Sequence, residues 1–447
     1  MTTISSANAP SLLTEIHTAD IPAMYQRFSD VVGARSWTHR VAQMKAAIKH
    51  NHFLDAYLHM ENEIAFGLDR CGVLIKRYGG LPDDVVANRE LYPAISFAAQ
   101  SLSMMDLATP VESERLRKRV AGALQNPNDM RALRLELTVA THFTRRGHHL
   151  QWPEMVGGGT FDLLVTDMGN DGVEVECKSI SDDKGRNIHR RAALEFHHLM
   201  IGELAHIRKT LRSGLSVVVT VPGSLPTRHT DRKALAKCVR QQITIGNSAK
   251  LGDGIDIRIT EFDLARLDEI ADDRRVEVAR RVIQDVTGTQ NREGILTSTD
   301  AGGALAFVVQ SAVDDDVMDA TFKTFSDAAK RQLSGTRPAL LIAGFDGLDG
   351  EELTSIAQQD RDPKQKPTAL AIKVSRFLAA DHRNYVVGVG FLSRGALRPV
   401  TDSVIDSGGT AYYFPKRESP FWHDDLGGLF EWRNTSTEDL LAADISP

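Results

Sequence analysis

The feature that most constrains this chain is the stretch GGGTFDLLVTDMGNDGVEVECKSIS, residues 157–181. Two apolar runs flank a Gly/Asn/Asp turn, the pattern of two paired strands. Successive side chains of a strand point to opposite faces, so Val173, Val175 and Cys177 share one face and Glu174, Glu176 and Lys178 the other. The first face is apolar and belongs to a core. The second sets two carboxylates and an amine in a row, opposite a run (Phe161, Asp162, Leu163, Leu164, Val165) whose only charge is Asp162. Hairpin register decides whether Asp162 joins them. A two-residue loop at Gly169-Asn170 would set it opposite Cys177, on the core face, whereas an odd loop count or a bulge would set it opposite Glu176.

The pattern around this hairpin predicts a helix over 130–146, a short strand over 149–155, strands over 160–167 and 172–180, and a long helix over 187–212. The strand LSVVVTVPG, a helix over 231–245 and the strand IDIRITEF follow. That order is α-β-β-β-α-β with an appended α-β, and it implies a mixed sheet covered on both faces. Upstream, apolar residues recur at helical spacing from 21 to 106. Downstream, a polar, Gly-rich stretch near 286–303 marks a boundary, after which the strands ALAFVVQ, ALLIAGF, YVVGVGFL and TAYYFP alternate with helical patterns. The expected architecture is α/β: a helical region over 1–127, a mixed-sheet domain over 128–285 and an α/β region over 286–447.

A chain of 447 residues exceeds what one core supports, and 42% hydrophobic with 25% charged residues is an ordinary globular balance. Cys71, Cys177 and Cys238 match neither a zinc spacing nor a disulfide framework, which fits a reducing cytoplasm. No signal-peptide pattern and no bilayer-length apolar stretch occurs, so no membrane partner is expected. The net charge of −6 argues against coating nucleic acid by bulk charge but leaves room for a locally basic cleft.

Two carboxylates converging on one point suit a hard divalent cation, Mg²⁺ or Mn²⁺, which could hold a phosphate oxygen and generate hydroxide. An adjacent lysine could orient the attacking water or stabilise charge on a phosphorane-like transition state. Phe161-Asp162, then Glu176-Cys177-Lys178, within the α-β-β-β-α-β order, resembles the PD-(D/E)XK nuclease superfamily, also called restriction endonuclease-like. The resemblance spans roughly 128–262, under a third of the chain. It implies Asp162 and Glu176, with Cys177 of the same tripeptide, as the metal set, and Lys178 as the catalytic lysine. The variable proline ahead of the aspartate is Phe161 here. Many members carry a further acid on the preceding helix, and Glu136 is placed for it. Glu136 stands three residues after Leu133 and four before Ala140, inside an apolar stripe, where a carboxylate needs a partner such as a metal-bound water or Lys178.

Lys184, Arg186, His189, Arg190 and Arg191 follow the motif at the start of the long helix, where cations and a helix N-terminus could contact phosphates. A solvated helix start is the plainer alternative. The expected function is metal-dependent hydrolysis of phosphodiester bonds, with DNA as the nucleic-acid partner, in a restriction, repair or phage-defence setting; a homodimer is compatible with the sequence. The rivals are a nuclease-fold module that binds nucleic acid without cutting it, and a protein-interaction scaffold.

Overall fold

Asn126 and Pro127 start the helix that orients the candidate site. The Asn126 side chain accepts the Asn128 N–H at 3.0 Å, and Pro127, which lacks an N–H, occupies the first turn, where that group would have no helical partner. This helix, Pro127–Arg145, is preceded by Pro110–Ala123, whose Thr109 forms a capping box with Glu112. They are called α2 and α1. The structure is a computed structural model that describes residues 15–82, 91–268, 276–289, 294–346, 350–393, 396–399, 404–408 and 410–430.

The fold is mixed α/β, and the chain divides into two units that do not follow the three consecutive regions expected. One comprises Met1–Arg40, Ile64–Asp182 and Thr321–Pro447; the other comprises Val41–Glu63 and Asp183–Ala320. In the first unit six strands form one sheet: β1 (Leu150–Gln151), β2 (Leu163–Val165), β3 (Val173–Ile180), β4 (Ala339–Phe345), β5 (Val386–Leu392) and β6 (Ala411–Pro415), adjacent in that order. The first three pair antiparallel, β3–β4 and β4–β5 pair parallel, and β6 closes antiparallel on β5. Helix α3 (Val317–Arg331) leads into β4. A small antiparallel sheet, Glu15–His17, Val404–Gly408 and Ala396–Pro399, also belongs to this unit.

Strands β4 and β5 read as unbroken apolar runs because they are covered on both faces. Helix α2 lays Leu135 against Gly344, where an added Cβ would come within 3.0 Å of Leu135 Cδ1, and brings His142 Nε2 to 3.3 Å from the Tyr413 hydroxyl. Gly344 is paired with Ser179, and Tyr413 with Gly390, which aligns through Ile342 with Cys177. Helix α2 therefore covers the Val175/Cys177 face. The opposite face, that of Glu174, Glu176 and Lys178, is covered through Phe325 of α3, packed 6.2 Å from Phe391, which aligns with Ala343 and Lys178.

The second unit has its own five-stranded sheet, ordered Ala249–Lys250, Asp256–Phe262, Gly214–Val221, Ala304–Ser311, Gly294–Ser298. Only the pairing of Gly214–Val221 with Ala304–Ser311 is parallel. Its core joins Phe196 and Met200 to Val217, Val219, Ile257 and Phe307. Two expectations are thereby corrected. The strand after the long helix, Gly214–Val221, does not join the hairpin strands, whose parallel partner is β4. The long helix itself is two, Arg190–Glu203 and Ala205–Thr210.

Candidate active site

Seven residues, 166–172, separate β2 from β3, an odd count. The connection returns through Gly172 at φ +77°, where an added Cβ would come within 2.8 Å of the Val165 carbonyl oxygen. The register is Leu163 with Val175, Leu164 with Glu174 and Val165 with Val173. Carried one step further along, that register would set Asp162 opposite Glu176. Its Oδ2 accepts the Cys177 backbone N–H at 2.8 Å. That bond fixes the carboxylate beside the strand carrying Glu176 and Lys178.

The two glutamates of the charged strand have separate jobs. Both are 0% exposed. Glu174 is satisfied by the turn ahead of β4: Ser334 donates its backbone N–H at 2.8 Å and its hydroxyl at 2.5 Å, with Arg337 Nη1 3.9 Å away. Glu176 accepts from Lys178 Nζ on one oxygen, while its Oε2 is buried without a hydrogen-bond partner. A buried acceptor left bare is costly, which marks Glu176 as a group held ready for something other than packing.

Glu136 repeats this arrangement on α2. It is 2% exposed, Oε1 accepts from Arg119 Nη2 at 2.6 Å, and Oε2 is buried without a partner. The partner that its place in the stripe demanded is thus Arg119 of α1, not Lys178. Asp162 is the neighbour whose charge both Glu136 and Glu176 feel. The stripe rule would also have found Arg119. It stands three residues after Leu116 and four before Ala123, both buried, so a charge there needed a partner as much as Glu136 did.

Burial, reinforced by the Asp162 charge, raises Glu136 and Glu176 each to about 8, outweighing Arg119 and Lys178, which pull the other way. Burial also raises Asp162, opposed by the Cys177 N–H and by the charges of Lys178 and Arg119. The Cys177 thiol is driven well above its ordinary range by burial and by the three carboxylates. It lies on the α2 face, and what it brings to Asp162 is its backbone N–H. A thiolate ligand is therefore a poor description of its role.

Among the described residues no group of three or more His, Cys, Asp or Glu side chains stands at metal-ligand spacing. A Mg²⁺ or Mn²⁺ site does not require three, since Mg²⁺ is commonly held by one or two carboxylates and keeps its remaining waters. Asp162 and the bare oxygen of Glu176 fit that donor set, and the bare oxygen of Glu136 lies within the same charge network. The expected phosphate-binding cations fall in the second unit. Arg186 donates to Asp315 at 2.9 Å and Arg191 to Glu195 at 3.0 Å. The Arg190 N–H is taken by Asp183 and its guanidinium lies 3.5 Å from the Met60 sulfur. Lys184 is half-buried, and His189 immediately precedes the helix Arg190–Glu203. Compared with known proteins, the chain matches no family model, no curated protein and no solved structure.

Proposed function

We propose that the first unit is a metal-dependent nuclease of the PD-(D/E)XK type, hydrolysing phosphodiester bonds of nucleic acid, with DNA the expected polymer. One observation carries this reading: Asp162 is hydrogen-bonded to the backbone N–H next to Glu176, whose buried Oε2 is bare, with Lys178 two residues along the same strand face. The order helix α2, antiparallel β1–β2–β3, helix α3, then β4 parallel to β3 supports it as well, with the second unit's long segment lying between β3 and α3 in the sequence. A divalent cation held by Asp162 and Glu176 would supply Lewis acidity toward a phosphate oxygen and acidify a water. The Cys177 N–H holds Asp162 in place as an acceptor. Lys178 offers positive charge where the phosphoryl group gains negative charge.

The test is incubation of the full chain with supercoiled plasmid, linear duplex, single-stranded DNA and RNA, each with Mg²⁺, Mn²⁺ or EDTA. Cleavage is expected only with the divalent cation. Asp162→Asn or Glu176→Gln should weaken both cation binding and turnover. Lys178→Met should keep cation binding while turnover falls on the order of a hundredfold to a thousandfold, the usual effect of removing one positioned electrostatic contact. Cutting by Lys178→Met at the wild-type rate overturns the assignment. The two ion pairs, Lys178–Glu176 and Arg119–Glu136, favour a second reading, a module that binds nucleic acid without cutting it. It is distinguished by nucleic-acid binding that is indifferent to EDTA and accompanied by no cleavage.

A further inference from the structure

Asp162 has two cations around it, and they come from different elements. Lys178 belongs to the charged strand. Arg119 belongs to α1 and enters the site only through Glu136, to which it donates one nitrogen at 2.6 Å. Its side chain is 32% exposed, against 3% for that of Glu136, and among the described residues Glu136 is its only hydrogen-bond partner. A guanidinium carries five donors in a rigid fork, so one anchored nitrogen leaves the rest oriented and unspent.

We propose that Arg119 is a second phosphate-binding cation of this site, anchored on Glu136 through one nitrogen and offering its remaining donors to a nonbridging oxygen of the scissile phosphate. This rests on the nuclease reading above. Arginine suits the task better than lysine because its planar fork can hold a carboxylate and a phosphate oxygen at once, whereas an ammonium acts as a point charge. The rival role is that of a counter-ion only, keeping a buried Glu136 from standing alone.

A double-mutant cycle separates the two roles. Single-turnover cleavage of duplex DNA is measured in Mg²⁺ for wild type, Arg119→Met, Glu136→Gln and the double variant, with folding followed by thermal melting. Arg119→Met alone leaves a buried carboxylate unpaired and risks instability; in the Glu136→Gln background that risk is removed. If Arg119 touches the phosphate, adding Arg119→Met to Glu136→Gln still lowers the rate at least tenfold. If it serves only Glu136, the substitution has no further effect in that background, and the proposal is overturned. The salt dependence of duplex binding in Ca²⁺ is read in parallel. Loss of one phosphate contact should reduce the slope of log K against log salt by about 0.9. A wild-type protein that never cleaves under any cation sinks the nuclease reading, yet the slope still judges Arg119, since an unchanged slope in the double variant relative to Glu136→Gln rules out the phosphate contact.

Discussion

Glu136 and Glu176 stand where a carboxylate is expensive, and the cations beside them offset that cost only in part. Each is raised to about 8 from an ordinary 4.5 because burial, and then the Asp162 charge, penalise the ionised form more than Arg119 or Lys178 favours it. The sign for stability follows. The folded state holds these protons more tightly than the unfolded chain, so their contribution is fully present below about 4.5 and is lost as pH rises toward about 8. Coupling through Asp162 makes the group titrate together rather than residue by residue. In EDTA the melting temperature should fall between pH 6.5 and pH 8, above the range in which buried His142, lowered to about 4, adds stability as pH rises, and Glu176→Gln should flatten that fall. Added Mg²⁺ should flatten it too, a cation taking the place of the proton. A melting temperature in EDTA that is level or rising across this window contradicts the account. This behaviour was only partly legible in the sequence. The stripe around Glu136 announced a buried acid in need of a partner, but which partner it takes depends on how α1 meets α2, which residue spacing within one helix does not encode.

At the scale of elements, strand β3 shows where alternation informs and where it stops. Period two placed Glu174, Glu176 and Lys178 on one face, and the odd connection from β2 gives the register Leu163 with Val175, which, carried one step on, would set Asp162 opposite Glu176. Alternation could not assign different tasks to two identical side chains two residues apart. The difference comes from Ser334, 160 residues away in sequence, whose N–H and hydroxyl both serve Glu174. Nor could it say which helix covers which face, and it is α2, the helix carrying Glu136, that covers the Val175/Cys177 face. Glu174 thus ties the turn before β4 to β3 and has no part in the proposed cation site. Glu174→Ala strips two hydrogen bonds from a fully buried position, and because Ser334 is itself exposed its donors can turn to water, so the loss should be about 0.5–1.5 kcal/mol for each hydrogen bond given up. The variant should unfold at lower denaturant, while the folded fraction binds Mn²⁺ as wild type does. A loss of Mn²⁺ affinity without a loss of stability would reverse the roles of Glu174 and Glu176.

At the scale of the whole molecule, the sequence conceals that β3 and its parallel partner β4 are separated by the long segment of the second unit. The pattern of a helix followed by an apolar run recurs after β3, among others at Arg190–Glu203 with Gly214–Val221, at Val317–Arg331 with Ala339–Phe345 and at Ala369–Leu378 with Val386–Leu392. Nothing in their periodicity separates them, and the habit of consecutive elements to lie side by side favours the nearest. The segment that intervenes, Asp183–Ala320, has its two ends tied together within its own unit. Asp316 donates its N–H to the Gly185 carbonyl at 2.7 Å. Asp315 accepts from Arg186 and from the Asn187 N–H, each at 2.9 Å. Asn187 Nδ2 reaches the carbonyls of Val313 and Asp314 at 3.2 and 3.0 Å. Gly185 sits at φ +70°, and a Cβ there would collide with the Asp316 carbonyl and come within 2.8 Å of Val317 Cα. Gly185→Ala must therefore move backbone, not a side-chain tip, in addition to holding alanine in the left-handed region, which alone costs on the order of 1–3 kcal/mol. Asp315→Ala removes the acceptor of two of the ties without adding bulk, so it should destabilise less. Calorimetry should show Gly185→Ala lowering the transition that carries the second unit by more than Asp315→Ala does. Cation binding at Asp162 and Glu176, which belong to the other unit, should persist below that transition. Equal melting of Gly185→Ala and wild type would mean that the paired ends are not a fastening of the second unit, and that its stability lies in the packing of Phe196, Met200 and Phe307 alone.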